Sequence, residues 1–208
     1  MQDALKRSST VQTPLKELRR DIIMKKLEND THVTELTLAN RYLCSRAAVR
    51  SALTVLEQEG LIRVMPNGTK RICSLTTKDI NDLYEFRAHI ECSAIKQALT
   101  NGTLDISKLI QVIEEAEEND DFLDCDAKFH ETLVAMSNNK ALLQAWKTFM
   151  PVTRELFSLN FSHSQNVKDA FHTRHMLITK MLFDRDEAVI DVLKSHIDEA
   201  KELSLIED

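Results

Sequence analysis

Residues 34–73 read TELTLANRYLCSRAAVRSALTVLEQEGLIRVMPNGTKRIC, and this stretch decides the fold. Thr34 is a helix N-cap, opening a short helix in which Leu36, Leu38 and Leu43 are apolar. Cys44 ends a turn, and Ser45 caps a longer helix from Arg46 to about Glu59, with Gly60 at the position of a helix C-cap glycine. Val49, Ala52, Leu53 and Leu56 follow the i, i+3, i+4, i+7 spacing of a buried stripe. Arg46, Ala47, Arg50, Ser51 and Thr54 fall on the other faces. Beyond Gly60 the period shortens. Leu61-Ile62-Arg63-Val64 reads as a strand, Asn67-Gly68 supplies the positive φ of a tight hairpin, and Lys70-Arg71-Ile72-Cys73 returns.

Working outward, Thr13-Pro14 reads as an N-cap followed by proline at the first helical position. Leu15, Leu18, Ile22, Ile23 and Leu27 then form one apolar face running to about Glu28. Three helices and a β-hairpin make a winged helix-turn-helix pattern over residues 1–74. Ser74 to Thr77 is a short polar linker. From Lys78 everything reads helical, with helices at roughly 78–99, 105–118, 121–137, 140–159, 166–183 and 187–204. Asn101-Gly102 stops the first of these, and Pro151 is expected to kink the fourth. The expected architecture is mostly α: the winged head, then an all-α six-helix bundle over residues 75–208. Only three Gly and three Pro occur, which leaves little room for long irregular loops.

Charge divides the chain at the same boundary. Residues 1–74 carry 13 Lys/Arg against 8 Asp/Glu, and residues 75–208 carry 14 against 25, which accounts for the net −6. A basic head on an acidic body fits a nucleic-acid-binding module joined to a module of another kind. No apolar run reaches the ~18 residues of a membrane span. Met1 to Val11 lacks the apolar core of a secretion signal, so a cytoplasmic location is expected. Cys44, Cys73, Cys92 and Cys125 form no C-x-x-C pair and read as buried free thiols.

A helix that enters the major groove needs donors on its exposed N-terminal half. Arg46 and Arg50 stand there one turn apart, and a guanidinium can grip guanine O6 and N7 or clamp a phosphate. Thr69, Lys70 and Arg71 at the hairpin suit a wing touching the DNA backbone or minor groove.

The run Leu38-Ala39, Cys44 to Leu53, and Leu56-Glu57-Gln58-Glu59-Gly60-Leu61-Ile62 resembles the winged-helix signature of the GntR family of transcription regulators. That resemblance implies a double-stranded DNA operator, with Arg46, Ala47, Arg50, Ser51, Thr69, Lys70 and Arg71 facing it. It also implies a homodimer placing two reading helices on two half-sites. Three departures stand out. Glu35 is followed by Leu36 where the family often has Arg, Asp30-Thr31-His32 replaces the usual Pro-Gly, and the wing lacks an Arg between Asn67 and Gly68.

The second half has its own chemistry. Asp126 and His130 lie at i, i+4 on one helix face, a spacing that can chelate a divalent cation. His175 and His196 sit on the last two helices, and a bundle can bring three helices to one point. Each histidine by itself reads more readily as a surface or core residue than as a ligand. Asp with three His would suit Zn, Ni, Mn or Fe. Residues 78–204 also resemble the FCD ligand-binding domain of the FadR-like GntR subfamily. The match rests on Arg87-x-x-x-Glu91, Asp126-x-x-Phe129-His130, His175 with Ile178 and Leu182, and His196-Ile197. The resemblance implies a metal held by Asp126, His130, His175 and His196, and a small carboxylate effector. His172 competes with His175, because the segment before His196 is a residue shorter than usual near Asp184-Arg185-Asp186. Arg87 either grips the effector or only pairs with Glu91.

The function expected is a ligand-responsive transcription repressor. A regulator for which the ion itself is the signal is the first alternative. A metal hydrolase is the second, although no His-Glu-x-x-His, nucleophile elbow or phosphate loop occurs.

Overall fold

The computed structural model describes residues 14–118, 122–161 and 167–205. The expected cap at Thr13, and His163, which reads as structural or surface, lie outside them. The chain divides into two compact units, Met1–Ser74 and Leu75–Asp208.

In the first unit, α1 (Pro14–Ile23), α2 (Glu35–Arg41) and α3 (Arg46–Gln58) accompany β1 (His32–Val33), β2 (Ile62–Val64) and β3 (Lys70–Ile72). Both α1 and α2 pack on α3. Leu18, Ile22, Leu38, Val49, Ala52, Leu53 and Leu56 meet there and are all nearly or fully buried. Arg19 on α1 forks Glu59 through Nε and Nη2 at 2.8 and 2.7 Å, tying α1 to the end of α3. Thr34 caps α2 in a reciprocal box with Thr37, and the Ser45 hydroxyl accepts from the Ala48 amide.

Three readings of this unit change. The first helix ends at Ile23 rather than near Glu28, because Lys25 takes a left-handed φ of 55° that a helix cannot continue. Leu27 is nevertheless buried, having reached the core from the loop. The hairpin gains a third strand, giving the order β1-β3-β2, with Val33 opposite Lys70. Of the apolar residues around α2, Leu38 is buried, whereas Leu36 and Leu43 are 56% and 93% exposed.

The second unit contains α4 (Thr77–Asn101), α5 (Ile106–Glu118), α6 (Phe122–Ala135), α7 (Lys140–Phe161), α8 (Val167–Phe183) and α9 (Val189–Ser204). α4 packs against α6, α7 and α9, and α5 against α6 and α8. The buried stripe of α4 runs Ile80, Tyr84, Arg87, Ala88, Glu91, Ala94, Ile95, Ala98 at helical spacing, so a guanidinium and a carboxylate occupy core positions. Gly102 ends α4 with a φ of 66°. α7 runs through Pro151 without ending there. None of the four cysteines is in a disulfide, and only Cys125 is buried; the other three are half-buried.

Candidate functional site

The helical unit brings four candidate ligands together. Asp126, His130, His175 and His196 each offer one ligand atom, and these atoms lie within 4.8 Å of one another. His130 Nε2 is 3.2 Å from His196 Nε2 and 3.4 Å from His175 Nε2. Asp126 Oδ1 stands 3.4 Å from His175 Nε2 and 3.7 Å from His130 Nε2. Ligand atoms ~2.0–2.2 Å from one ion and on adjacent positions are separated by roughly 3–3.5 Å, so these four separations of 3.2 to 3.7 Å are close to what a single divalent transition metal needs.

The outer nitrogens carry a second argument. His130 Nδ1 donates to Glu91 Oε2 at 2.6 Å, and His175 Nδ1 donates to the Phe171 carbonyl at 2.8 Å. In the neutral form of each ring, a proton held at Nδ1 leaves an Nε2 lone pair facing Asp126 Oδ1. In that form acceptors face acceptors, an arrangement that a bound cation or a shared proton relieves. Burial, and then the neighbouring imidazoles, hold His196 well below its ordinary pKa. Burial likewise holds His175 low, against the opposing pull of Asp126. Both shifts favour the neutral imidazole, the form that binds a metal. Burial would raise the Asp126 carboxyl, but His130, His175 and Arg87 together keep it well below the usual carboxylate range.

Glu91 anchors the arrangement, a role not recognised from sequence. Its Oε1 accepts from Arg87 Nε at 2.7 Å and from Trp146 Nε1 at 3.2 Å, while Oε2 holds His130. Burial pushes its carboxyl up, yet His130 and Arg87 bring it down to about 2. The available signal was the placement of positions 87 and 91 on the apolar stripe of α4, where a charge survives only if paired. Arg87 thus makes the Glu91 pair, and it also lines a cavity of about 20 Å³ with Asp126, Thr153, Arg154, Phe157 and His196. His172 stays outside the four-residue group, and its ring is half-buried. The shorter turn at Asp184–Asp186 is closed by Arg185 at a φ of 55°, and His196 still reaches the cluster. His32 and His89 are exposed.

In the first unit, Arg46, Ala47, Arg50 and Ser51 are all exposed on α3. The two arginines are not free: Arg50 forks Glu35 of α2, and Arg46 Nη2 lies 3.7 Å from the same carboxylate. The wing residues are more constrained than expected. Thr69, Lys70 and Arg71 are half-buried, Thr69 bonds Asn67, Lys70 stands 3.8 Å from Glu57, and Arg71 is tied to Asp30. Arg63 on β2 is exposed and has no ion-pair partner among the described residues; it was overlooked because it sits inside the strand pattern.

Residues 82–199 match the family model described as the FCD domain. The chain is similar to the gluconate operon transcriptional repressor of Bacillus subtilis strain 168, at 27% identity over 95% of this chain and 86% of that one. The repressor of the same name from Bacillus licheniformis is 29% identical over 75% of this chain and 67% of its own length. Among solved structures, one from Rhodococcus sp. RHA1 assigned as a transcriptional regulator GntR superposes with a TM-score of 0.64, at 22% identity over 91% of this chain and 94% of that one.

Proposed function

The chain belongs to the GntR family of transcription regulators and carries its FCD domain, and from that premise we propose a metal-containing repressor released by a small organic acid. The N-terminal unit binds operator DNA as one half of a homodimer. The helical unit binds the effector. Two relatives are named as repressors of an operon, which supports repression as the sign of the response.

The observation that carries this reading is the convergence of Asp126, His130, His175 and His196 beside Arg87. Asp126 and the three imidazoles would hold the metal, which when bound supplies a Lewis-acidic centre for a carboxylate. Arg87 contributes positive charge to the wall of the same cavity. Glu91 fixes the imidazole of His130 and keeps Arg87 in place.

The cavity has room for about one water molecule, so an organic acid enters only when α4, α7 and α9 move apart. That requirement gives the effector unequal affinity for two arrangements, which is what shifts an equilibrium. α4 carries Arg87 and Glu91 and begins at Thr77, directly after the first unit ends at Ser74. Movement of α4 is thereby transmitted to the DNA-binding head along the chain.

The test is elemental analysis followed by a thermal-shift screen of small organic acids. Wild-type protein should hold about one transition metal per chain and be stabilised by at least one acid. His196→Ala should lose both properties. Wild type that cannot be loaded with Zn, Ni or Mn sinks the metal site.

A further inference from the structure

The arginines of the reading helix share one counter-ion. Glu35 is the first residue of α2, where the Thr34–Thr37 capping box fixes the backbone on either side of it. Its Oε1 accepts from Arg50 Nε at 2.7 Å and its Oε2 from Arg50 Nη2 at 2.8 Å. Arg46 Nη2 approaches Oε2 at 3.7 Å. Both arginine side chains remain about two-thirds exposed, at 64% and 65%. The packing of α2 on α3 also has an apolar part, with Leu38, Ala39, Val49 and Leu53 buried. An exposed ion pair adds little stability in any case.

We propose that Glu35 is the specificity-setting residue of the DNA face: it holds Arg50 side-on and cancels part of the charge of the Arg46–Arg50 pair, favouring base edges over phosphate. This inference rests on the reading of α3 as the helix that meets DNA. A guanidinium has five N–H groups. The fork with Glu35 occupies Nε and one hydrogen of Nη2, leaving the end edge of Nη1 and Nη2 to meet guanine O6 and N7. The side chain is thus aimed before DNA arrives. Two cations and one anion leave a net charge of +1 at this point of the helix. Sequence-independent binding grows with the phosphates neutralised, so the carboxylate suppresses it. The carboxylate thus aims the fork of Arg50 and stands 3.7 Å from Arg46 beside it.

The experiment uses the full chain and two duplexes: one enriched by the wild type from a random-sequence pool, and a scrambled duplex of equal length and composition. Affinities are read by fluorescence anisotropy across a salt series. Glu35→Gln keeps most of the side chain and removes the charge. It should bind the scrambled duplex roughly threefold or more tightly at low salt, with the log–log salt slope steeper by about 1 and the preference for the enriched duplex reduced. Glu35→Asp keeps the charge but cannot span the fork. It should retain the wild-type slope while losing preference. Wild-type preference and slope in Glu35→Gln, with preference lost in Arg50→Ala, overturn the role of Glu35 alone. A wild type that enriches no duplex overturns the DNA face itself. Melting curves matched to wild type establish that each variant is folded, and if Glu35→Gln does not fold, Glu35→Asp decides by its preference.

Discussion

Glu91 Oε2 lies 2.6 Å from His130 Nδ1, and both side chains are fully buried. The carboxylate also carries the Arg87 guanidinium and the Trp146 indole, so one group joins the candidate metal cluster to the basic wall of the cavity. Glu91→Gln should weaken metal binding about 10–100-fold, the usual consequence of losing the partner that orients a ligating imidazole. Competition against a chelator of known zinc affinity measures this. Unchanged affinity would mean that Glu91 serves Arg87 only.

The proposed DNA role of α3 makes a separate prediction. Arg50→Ala should cost on the order of 1–3 kcal/mol on the preferred duplex if Arg50 touches a base edge. A phosphate contact would instead weaken every sequence alike and flatten the salt slope. Gel shifts of Arg46→Ala, Arg50→Ala and the double variant, on preferred and scrambled DNA, separate the two. Unchanged binding by all three removes α3 from the DNA face.

Tyr42 gives the N-terminal unit an alkaline limit. Its hydroxyl donates to Asp21 Oδ2 at 2.9 Å. Burial, and then that carboxylate, push its pKa well above the ordinary tyrosine value. In the unfolded chain a tyrosine ionises near 10. Above that pH the unfolded state loses a proton that the folded state keeps, so stability falls progressively as pH rises beyond about 10. Denaturation of wild type and Tyr42→Phe at a series of alkaline pH values should show a steeper loss in the wild type. Parallel curves would contradict the assignment, since Tyr84 contributes equally to both.

Assembly is directly measurable. A protein that pairs two half-sites should sediment at micromolar concentration with twice the mass of the 23.8 kDa chain. A monomer both free and on DNA would rule out the two-half-site operator.

Much of the architecture was legible because its signals are local. Ser45, Gly60 and the Val49–Leu56 stripe mark α3 within a few residues of its observed ends, and Asn67-Gly68 marks the wing turn. The six later helices follow from apolar periodicity and a scarcity of breakers. The two-residue strand β1 was not legible, since His32–Val33 has no pattern of its own and exists only because β3 offers an unpaired edge. The end of α1 was missed for a related reason. Leu27 keeps the apolar spacing and is buried, but the chain reaches that position through a left-handed turn at Lys25.

For the site, sequence by itself determined the one-turn spacing of Asp126 with His130, of Arg87 with Glu91 and of Arg46 with Arg50, because a helix fixes what stands at i+4. Tertiary structure decided which of those residues meet across helices. It placed His175 rather than His172 in the cluster, set Glu91 behind His130 rather than only beside Arg87, and brought both α3 arginines to Glu35. The physical reason is range: a helical repeat is written in neighbouring residues, whereas a hydrogen bond between residues 39 apart, as from His130 to Glu91, depends on how α4 and α6 pack.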